Sequence, residues 1–199
     1  MEIVMIRHFQ TQGNLEKKYI GRTDESLAET ADLMHLVEKR KKDCRNVDRV
    51  AASPMRRCIQ TAELLFPGKN SVLYDKMREC DFGTFEGRNF EELKHMPDYK
   101  GWLDSGGTLP FPEGESPREF QARCVEGFSE AVNLWIEQEA KKAALVVHGG
   151  TIMAVLSWLD VEGREFYYWQ TENGGGYRIA LDEQAWQQGQ KQCREIQKL

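Results

Sequence analysis

The sequence predicts an α/β fold built on a largely parallel sheet. Two observations carry this reading. Short, uniformly apolar runs such as Ile3-Val4-Met5-Ile6 and the stretch from Ala143 to Val147 read as strands buried on both faces. Segments with helical spacing follow such runs, so strands and helices alternate along the chain. At 199 residues the chain suits one domain with a small inserted lid, and it can bury a core without disulfide or metal staples.

The elements follow in order. Residues 2–7 form the first strand, which stops abruptly at Arg7-His8. Residues 8–27 read as a long polar loop, and a loop of that length in a compact domain is usually functional. Helical spacing begins at Leu27 and continues through Ala31, Met34 and Val37. The basic run Lys39-Arg40-Lys41-Lys42 is expected to be its solvated end. Val47 to Ala52 is the second strand, and Ser53-Pro54 is expected to open a helix, Ser as N-cap and Pro at the first turn. Val72 to Tyr74 is a short strand, and residues 89–96 a short helix. From Asp98 to Glu115 the chain reads as loop, and residues 82–115 as a whole are expected to form the lid. Ser116-Pro117 starts a long helix with Phe120, Cys124, Phe128, Ala131 and Trp135 on one core-facing stripe. The strand Ala143 to Val147 ends in His148-Gly149-Gly150, and a helix follows over 152–159. The last strand expected is Tyr177 to Leu181, with a polar tail that packs loosely or pairs at a sheet edge.

Composition narrows the function classes. A formal net charge of −5 and a pI near 5.5 argue against nucleic acid or an anionic membrane as partner. Five scattered cysteines without a CxxC pair suggest neither a disulfide framework nor a zinc knuckle, and reduced thiols fit a cytoplasmic protein. The first apolar run is too short for a signal peptide, and no later stretch is long enough to span a bilayer. The four histidines lack HxH or HxxxH spacing, so no metal is expected. No Walker or dinucleotide pattern occurs, so no cofactor is expected either.

Chemistry concentrates at strand ends, where open α/β sheets place their ligands. Arg7, His8, Arg57 and His148 fall there, with Asn14 and Glu79 in nearby loops. Two arginines and two histidines around one point would hold a dianionic phosphoryl group. His8 is the expected nucleophile, forming a phosphohistidine, and Glu79 the expected acid that protonates the leaving alkoxide. Arginines in the first turn of the helix after Ser53 oppose the helix dipole, a conflict an anion there would relieve.

These residues also carry a resemblance. Arg7-His8 with Thr11 and Asn14 resembles the signature of the histidine phosphatase (phosphoglycerate mutase-like) superfamily. Ser53-Pro54-Met55-Arg56-Arg57-Cys58-Ile59-Gln60-Thr61-Ala62 is similar to the second motif of that family and selects Arg57 over Arg56 as the phosphate-binding arginine. Glu79 in Arg-Glu-Cys-Asp-Phe-Gly-Thr-Phe-Glu-Gly matches its proton donor, and His148-Gly149-Gly150 its second histidine. Tyr19 to Asp24 matches a substrate-side loop, which adds Gly21, Arg22 and Thr23, with Gly149, to the expected phosphate or substrate contacts. The resemblance implies a three-layer α/β/α sandwich and a metal-independent phosphomonoesterase acting on a small phosphorylated metabolite. Phe9 departs from the pattern, standing where the family usually has glycine; its ring is expected to narrow or reshape the pocket.

The family divides into mutases and phosphatases. Phe90 stands where mutases carry a substrate-binding lysine, and the stretch between the acid and the second histidine is short, which favours a phosphatase with a partly apolar substrate. The Tyr-Ile-Gly-Arg-Thr-Asp and Phe-Pro-Glu-Gly-Glu-Ser pieces are similar to α-ribazole-5′-phosphate phosphatases of cobalamin assembly. The alternatives are a phosphoglycerate mutase, a broad sugar-phosphate phosphatase and, last, a non-catalytic phosphate-binding module.

Overall fold

In the computed structural model, which describes residues 1–190 and 193–199, six strands form one sheet. They are β1 (Glu2–Arg7), β2 (Arg49–Ala52), β3 (Ser71–Leu73), β4 (Lys142–Val147), β5 (Gly176–Leu181) and β6 (Cys193–Lys198), in the order β3-β2-β4-β1-β5-β6. The ladders joining β3, β2, β4 and β1 are parallel, and those joining β1, β5 and β6 are antiparallel. The sheet is therefore mostly parallel, as the alternation predicts. The polar tail supplies β6, which pairs at the edge.

Alternation along β1 divides the core. Ile3 and Met5 pack with Phe128, Ala131 and Trp135 of α6 (Pro117–Glu137) and Ile152 and Val155 of α7 (Gly149–Leu159). Val4 and Ile6 face the other way, onto Val37 of α2 (Leu33–Lys41) and Cys58, Ala62 and Leu65 of α3 (Arg56–Leu65). Successive strand side chains point to opposite faces, so two apolar faces need two helical layers. A third apolar cluster, which contains Phe85, Tyr99 and Phe111, is drawn from residues 80–124 and Ala154 of α7.

Five expectations from sequence are corrected. The helix expected from Leu27 begins at Leu33. The preceding stretch is extended: Leu27 bridges Thr11, and the Ala28 N–H donates to the Gln10 carbonyl at 2.8 Å. Within the basic run Arg40 is not solvated; it is 4% exposed, and its Nε donates to the Gly174 carbonyl at 2.7 Å. Ser53 does not cap α3, which starts at Arg56. The Arg56 N–H is met instead by Asp24 Oδ1 at 2.7 Å, so a carboxylate from another loop supplies the anion the helix end favours. Finally, Pro97–Asp104 within the expected lid loop is a helix, α5, with Pro97 in its first turn. Tyr99 and Trp102, three apart, share one face and stack at 6.0 Å, which Gly101 between them obscures in the sequence. The loop 8–27 also holds one helical turn, α1 (Gln12–Leu15), closed by a reciprocal Thr11–Asn14 capping box, and the short helix expected over 89–96 is α4 (Phe90–Leu93).

Candidate active site

Strand register assembles the centre. β1 and β4 are parallel partners with Arg7 opposite Val147, so the next residues, His8 and His148, leave the sheet side by side. Their rings meet edge to face with centroids 5.2 Å apart. β2 pairs Ala52 with Val146, which brings Ser53 to the same level. The Ser53 N–H donates to the Val146 carbonyl at 3.0 Å.

Hydrogen bonds fix both imidazoles. His8 Nδ1 lies 2.7 Å from the Phe9 carbonyl oxygen, which can only accept, so Nδ1 carries the proton and Nε2 keeps its lone pair. The Phe9 N–H is itself held by Thr61 Oγ1 at 3.1 Å. The Phe9 ring, 1% exposed, lies in the core beside Gly174 and does not line the cleft, so it does not narrow the pocket as the sequence led one to expect. His148 Nδ1 accepts from Arg57 Nε at 3.3 Å, which places its proton on Nε2, 2.8 Å from Ser53 Oγ. Burial, reinforced by Arg57 and the neighbouring charges, holds both histidines well below the ordinary imidazole value. Both are neutral near pH 7.

The arginines differ. Arg7 donates from Nη1 to the Thr171 carbonyl at 2.7 Å, while its buried Nε has no partner among the described residues. It lines the cleft beside His8. Arg57 and His148 are 0% exposed, and neither lines the cleft. The Arg57 guanidinium is occupied by His148 and by the carbonyls of Ile20, Gly21 and Thr23. The expected substrate loop is thus wrapped around Arg57, and Gly21, Arg22 and Thr23 do not line the cleft. Gly21 and Thr23 donate their N–H groups to Glu86 Oε1 at 2.8 and 2.9 Å, and exposed Arg22 reaches Asp81. Any side chain at 21 would strike the Cys80 carbonyl, only 1.8 Å from an added Cβ.

Glu79 shares the cleft with Arg7 and His8. Its Oε1 accepts the Cys80 N–H at 3.0 Å and Oε2 the Gly150 N–H at 3.1 Å. Burial raises its carboxyl above the ordinary value, opposed by those two N–H groups and by the arginines. The glycine pair has a steric reason: a Cβ on Gly150 would sit 2.3 Å from Glu79 Oε1, and one on Gly149 3.3 Å from Arg7 Cζ. Asn14 reaches the cleft from the turn after Thr11, its Oδ1 accepting from Thr11 N and from Asn173 Nδ2, so its NH2 is left to donate. Asn173 was not singled out in the sequence. Its Nδ2 also donates to the His8 carbonyl at 3.1 Å, and its only local signal is its place before the triple glycine.

The cleft encloses about 1090 Å³. Away from Arg7 and His8 its lining is rich in aromatic side chains, among them Tyr19, Phe82, Trp102, Phe111, Phe166 and Tyr167. Phe85 is core, and Phe90, which stands where the mutases carry a lysine, is 53% exposed and packs edge-on against Tyr99 outside the cleft.

A histidine with a free lone pair, cations beside it and a buried carboxyl whose titration burial raises thus lie together at the ends of the central strands. The sequence profile of the histidine phosphatase superfamily (branch 1) matches residues 3–192, and the chain belongs to that superfamily. It is a phosphatase of the phosphoric monoester hydrolase class. It is 29% identical over 175 residues to a broad-specificity phosphatase of Saccharomyces cerevisiae, an alignment covering 83% of this chain and 73% of that protein. The phosphoserine phosphatase of Entamoeba histolytica, solved with 3-phosphoglyceric acid, superposes with a TM-score of 0.77 at 26% identity, covering 98% of this chain and 96% of that one. The α-ribazole phosphatase of Shigella flexneri shares the fold, with a TM-score of 0.77 at 21% identity over 92% of each chain.

Proposed function

We propose that the chain hydrolyses a small phosphomonoester through a phosphohistidine on His8, without a metal. The observation that carries this is the His8 Nδ1–Phe9 carbonyl bond, because it leaves the Nε2 lone pair for attack on phosphorus. Attack forms the N–P bond and breaks the P–O bond to the leaving group. Glu79 in its acid form, which burial favours, delivers its proton to the departing oxygen. Arg7, with its unpartnered Nε, and the NH2 of Asn14 bind the equatorial oxygens, and the buried charge of Arg57 stabilises the phosphoryl group. His148 is oriented by Arg57 and Ser53 beside the nucleophile. Water, deprotonated by the Glu79 carboxylate, then attacks phosphorus and frees His8. Gly149, packed beneath Arg7, lets that guanidinium lie flat on the start of α7.

The aromatic walls favour a substrate with an apolar or ring-bearing body, for which α-ribazole 5′-phosphate is the specific candidate. The cleft is also wider than one small metabolite needs, which supports broad specificity as the second reading. The five free thiols favour a reducing compartment, and we place the enzyme in the cytoplasm. Among the described residues no helix is long and apolar enough to cross a membrane. The test is phosphate release by wild type and His8→Ala, with chelator present, from α-ribazole 5′-phosphate, 3-phosphoglycerate, phosphoserine and sugar phosphates. Release from α-ribazole 5′-phosphate alone supports the specific reading. Release from many esters supports the broad one, and release that survives His8→Ala overturns both.

A further inference from the structure

The main chain carrying Glu79 belongs to no strand. Residues 78–82 run between a short turn at Asp75–Met77 and another at Gly83–Phe85. Carbonyls in such a segment must find donors elsewhere, since an unpaired buried peptide group is costly. One side chain supplies them for Arg78 and Glu79, and for Lys76 just before the segment. Arg123, at the second turn of α6, donates from Nη1 to the Lys76 and Arg78 carbonyls at 2.9 and 2.7 Å, and from Nη2 to the Glu79 carbonyl at 2.9 Å. Its two remaining donors go to Glu115: Nε to Oε1 at 2.6 Å and Nη2 to Oε2 at 2.7 Å. All five guanidinium N–H groups are therefore used. Glu115 Oε2 also accepts the Asp81 N–H at 3.4 Å, beyond Glu79 on the same segment. The Arg123 guanidinium lies 5.0 Å from the centre of the Phe120 ring, which closes its open face.

Glu79 is thus held twice. Its carboxylate is fixed to α7 through Gly150, and its backbone to α6 through Arg123. The two helices pack against one another, so the carboxyl is referenced to a rigid frame. We infer that Arg123, locked by Glu115, is a positioning residue for the proton donor: it sets the Glu79 main chain so that the carboxyl meets the leaving oxygen. The inference rests on the phosphoryl-transfer reading. Lysine cannot replace the fork, because an ammonium has three donors and no planar geometry.

The test compares Arg123→Gln, Arg123→Lys and Glu115→Gln with wild type on two substrates, an alkyl phosphate and p-nitrophenyl phosphate. The alkoxide needs a proton to leave and the nitrophenolate does not. Displacing a catalytic group by about 1 Å costs on the order of 100-fold, so kcat/KM for the alkyl ester, which covers the steps up to departure of the leaving group and omits the later hydrolysis of the phosphohistidine, should fall roughly 10- to 100-fold in both Arg123 variants. On the aryl ester the loss should stay within about 3-fold, because proton donation contributes little there. Melting temperature is read for each variant. Should Arg123→Gln fail to fold, Glu115→Gln, which keeps the arginine, carries the comparison and should show the same selective loss. Equal losses on the two esters, or no loss on either, overturn the inference. Phosphohistidine formation by wild type is measured in the same series. Its presence alongside equal losses overturns the positioning role alone, and its absence overturns the phosphatase reading beneath it.

Discussion

The rings of His8 and His148 meet edge to face, centroids 5.2 Å apart and planes at 67°, with Arg57 bonded to the second ring. Two imidazoles this close to two arginines cannot both take a proton cheaply, and both are held well below the ordinary value of 6.5. In the unfolded chain they titrate near that value. Below it the unfolded state binds more protons, so stability is full above 6.5 and falls as the pH drops toward the depressed folded values. Glu79 has the opposite sign: its raised carboxyl contributes stability below its ordinary value of 4.5, lost as pH rises through the folded one. Between pH 7 and 5 the histidines act in the acid-labile direction, with a limiting slope of about 1.4 kcal/mol per pH unit for each. The melting temperature should drop over that interval, and drop less steeply in His148→Gln. An identical slope in the variant would contradict this.

Glu79→Gln keeps the shape of the side chain and loses the transferable proton. The kcat/KM for alkyl phosphates should fall roughly 100- to 10,000-fold, and that for p-nitrophenyl phosphate about 10-fold or less, because kcat/KM ends at departure of the leaving group and omits the hydrolytic step in which Glu79 is the base. In wild type the alkyl rate should decline as pH rises through the raised Glu79 value, because the acid form disappears. That alkaline limb should be missing in the variant. Steady-state rates against pH on both substrates check the point.

Phe9→Ala separates packing from chemistry. The backbone carbonyl that fixes His8 survives the change, while a ring 1% exposed leaves the core next to Gly174. The expected cost is about 3–5 kcal/mol of stability, with kcat altered less than about 5-fold below the melting point. Chemical denaturation and initial rates measure the two quantities. A large loss of kcat with little loss of stability would place the ring in the site.

Gly21→Ala tests the loop wrapped around Arg57. The new Cβ would lie 1.8 Å from the Cys80 carbonyl oxygen, one residue past Glu79, so either the loop or the acid-bearing segment must move. We expect kcat/KM to fall about 10-fold or more, as misplacement of catalytic groups by fractions of an ångström does. Activity within 2-fold of wild type would show that the carbonyls of residues 20–23 are not needed to hold Arg57.

Much of this was legible in the sequence, for identifiable reasons. The apolar runs at Ile3–Ile6 and Ala143–Val147 are two-sided and abrupt, so they declare both the central strands and their histidine ends. The parallel register that sets His8 beside His148 follows from those strands. What stayed hidden depends on partners far away in sequence. Ser53 reads as a helix cap because its neighbours say so, yet its hydroxyl is spent on His148, 95 residues on. Arg40 reads as part of a solvated basic run, and only the distant Gly174 carbonyl draws it inward. Arg123 sits on a helix whose visible pattern is its apolar stripe, and the carbonyls it gathers carry no sequence signal at all. Glycine in the middle of α5 lowered the helical reading there, while tertiary packing of Tyr99 and Trp102 outweighed it.

The measurement that bears most directly on the central claim is a rapid alkaline quench of wild type turning over an aryl phosphate, followed by mass spectrometry of the peptide that contains His8. The account predicts a phosphoryl group on His8 during turnover, absent in His8→Gln together with activity. Sustained turnover with His8 never phosphorylated, or with the label on another residue, would contradict it.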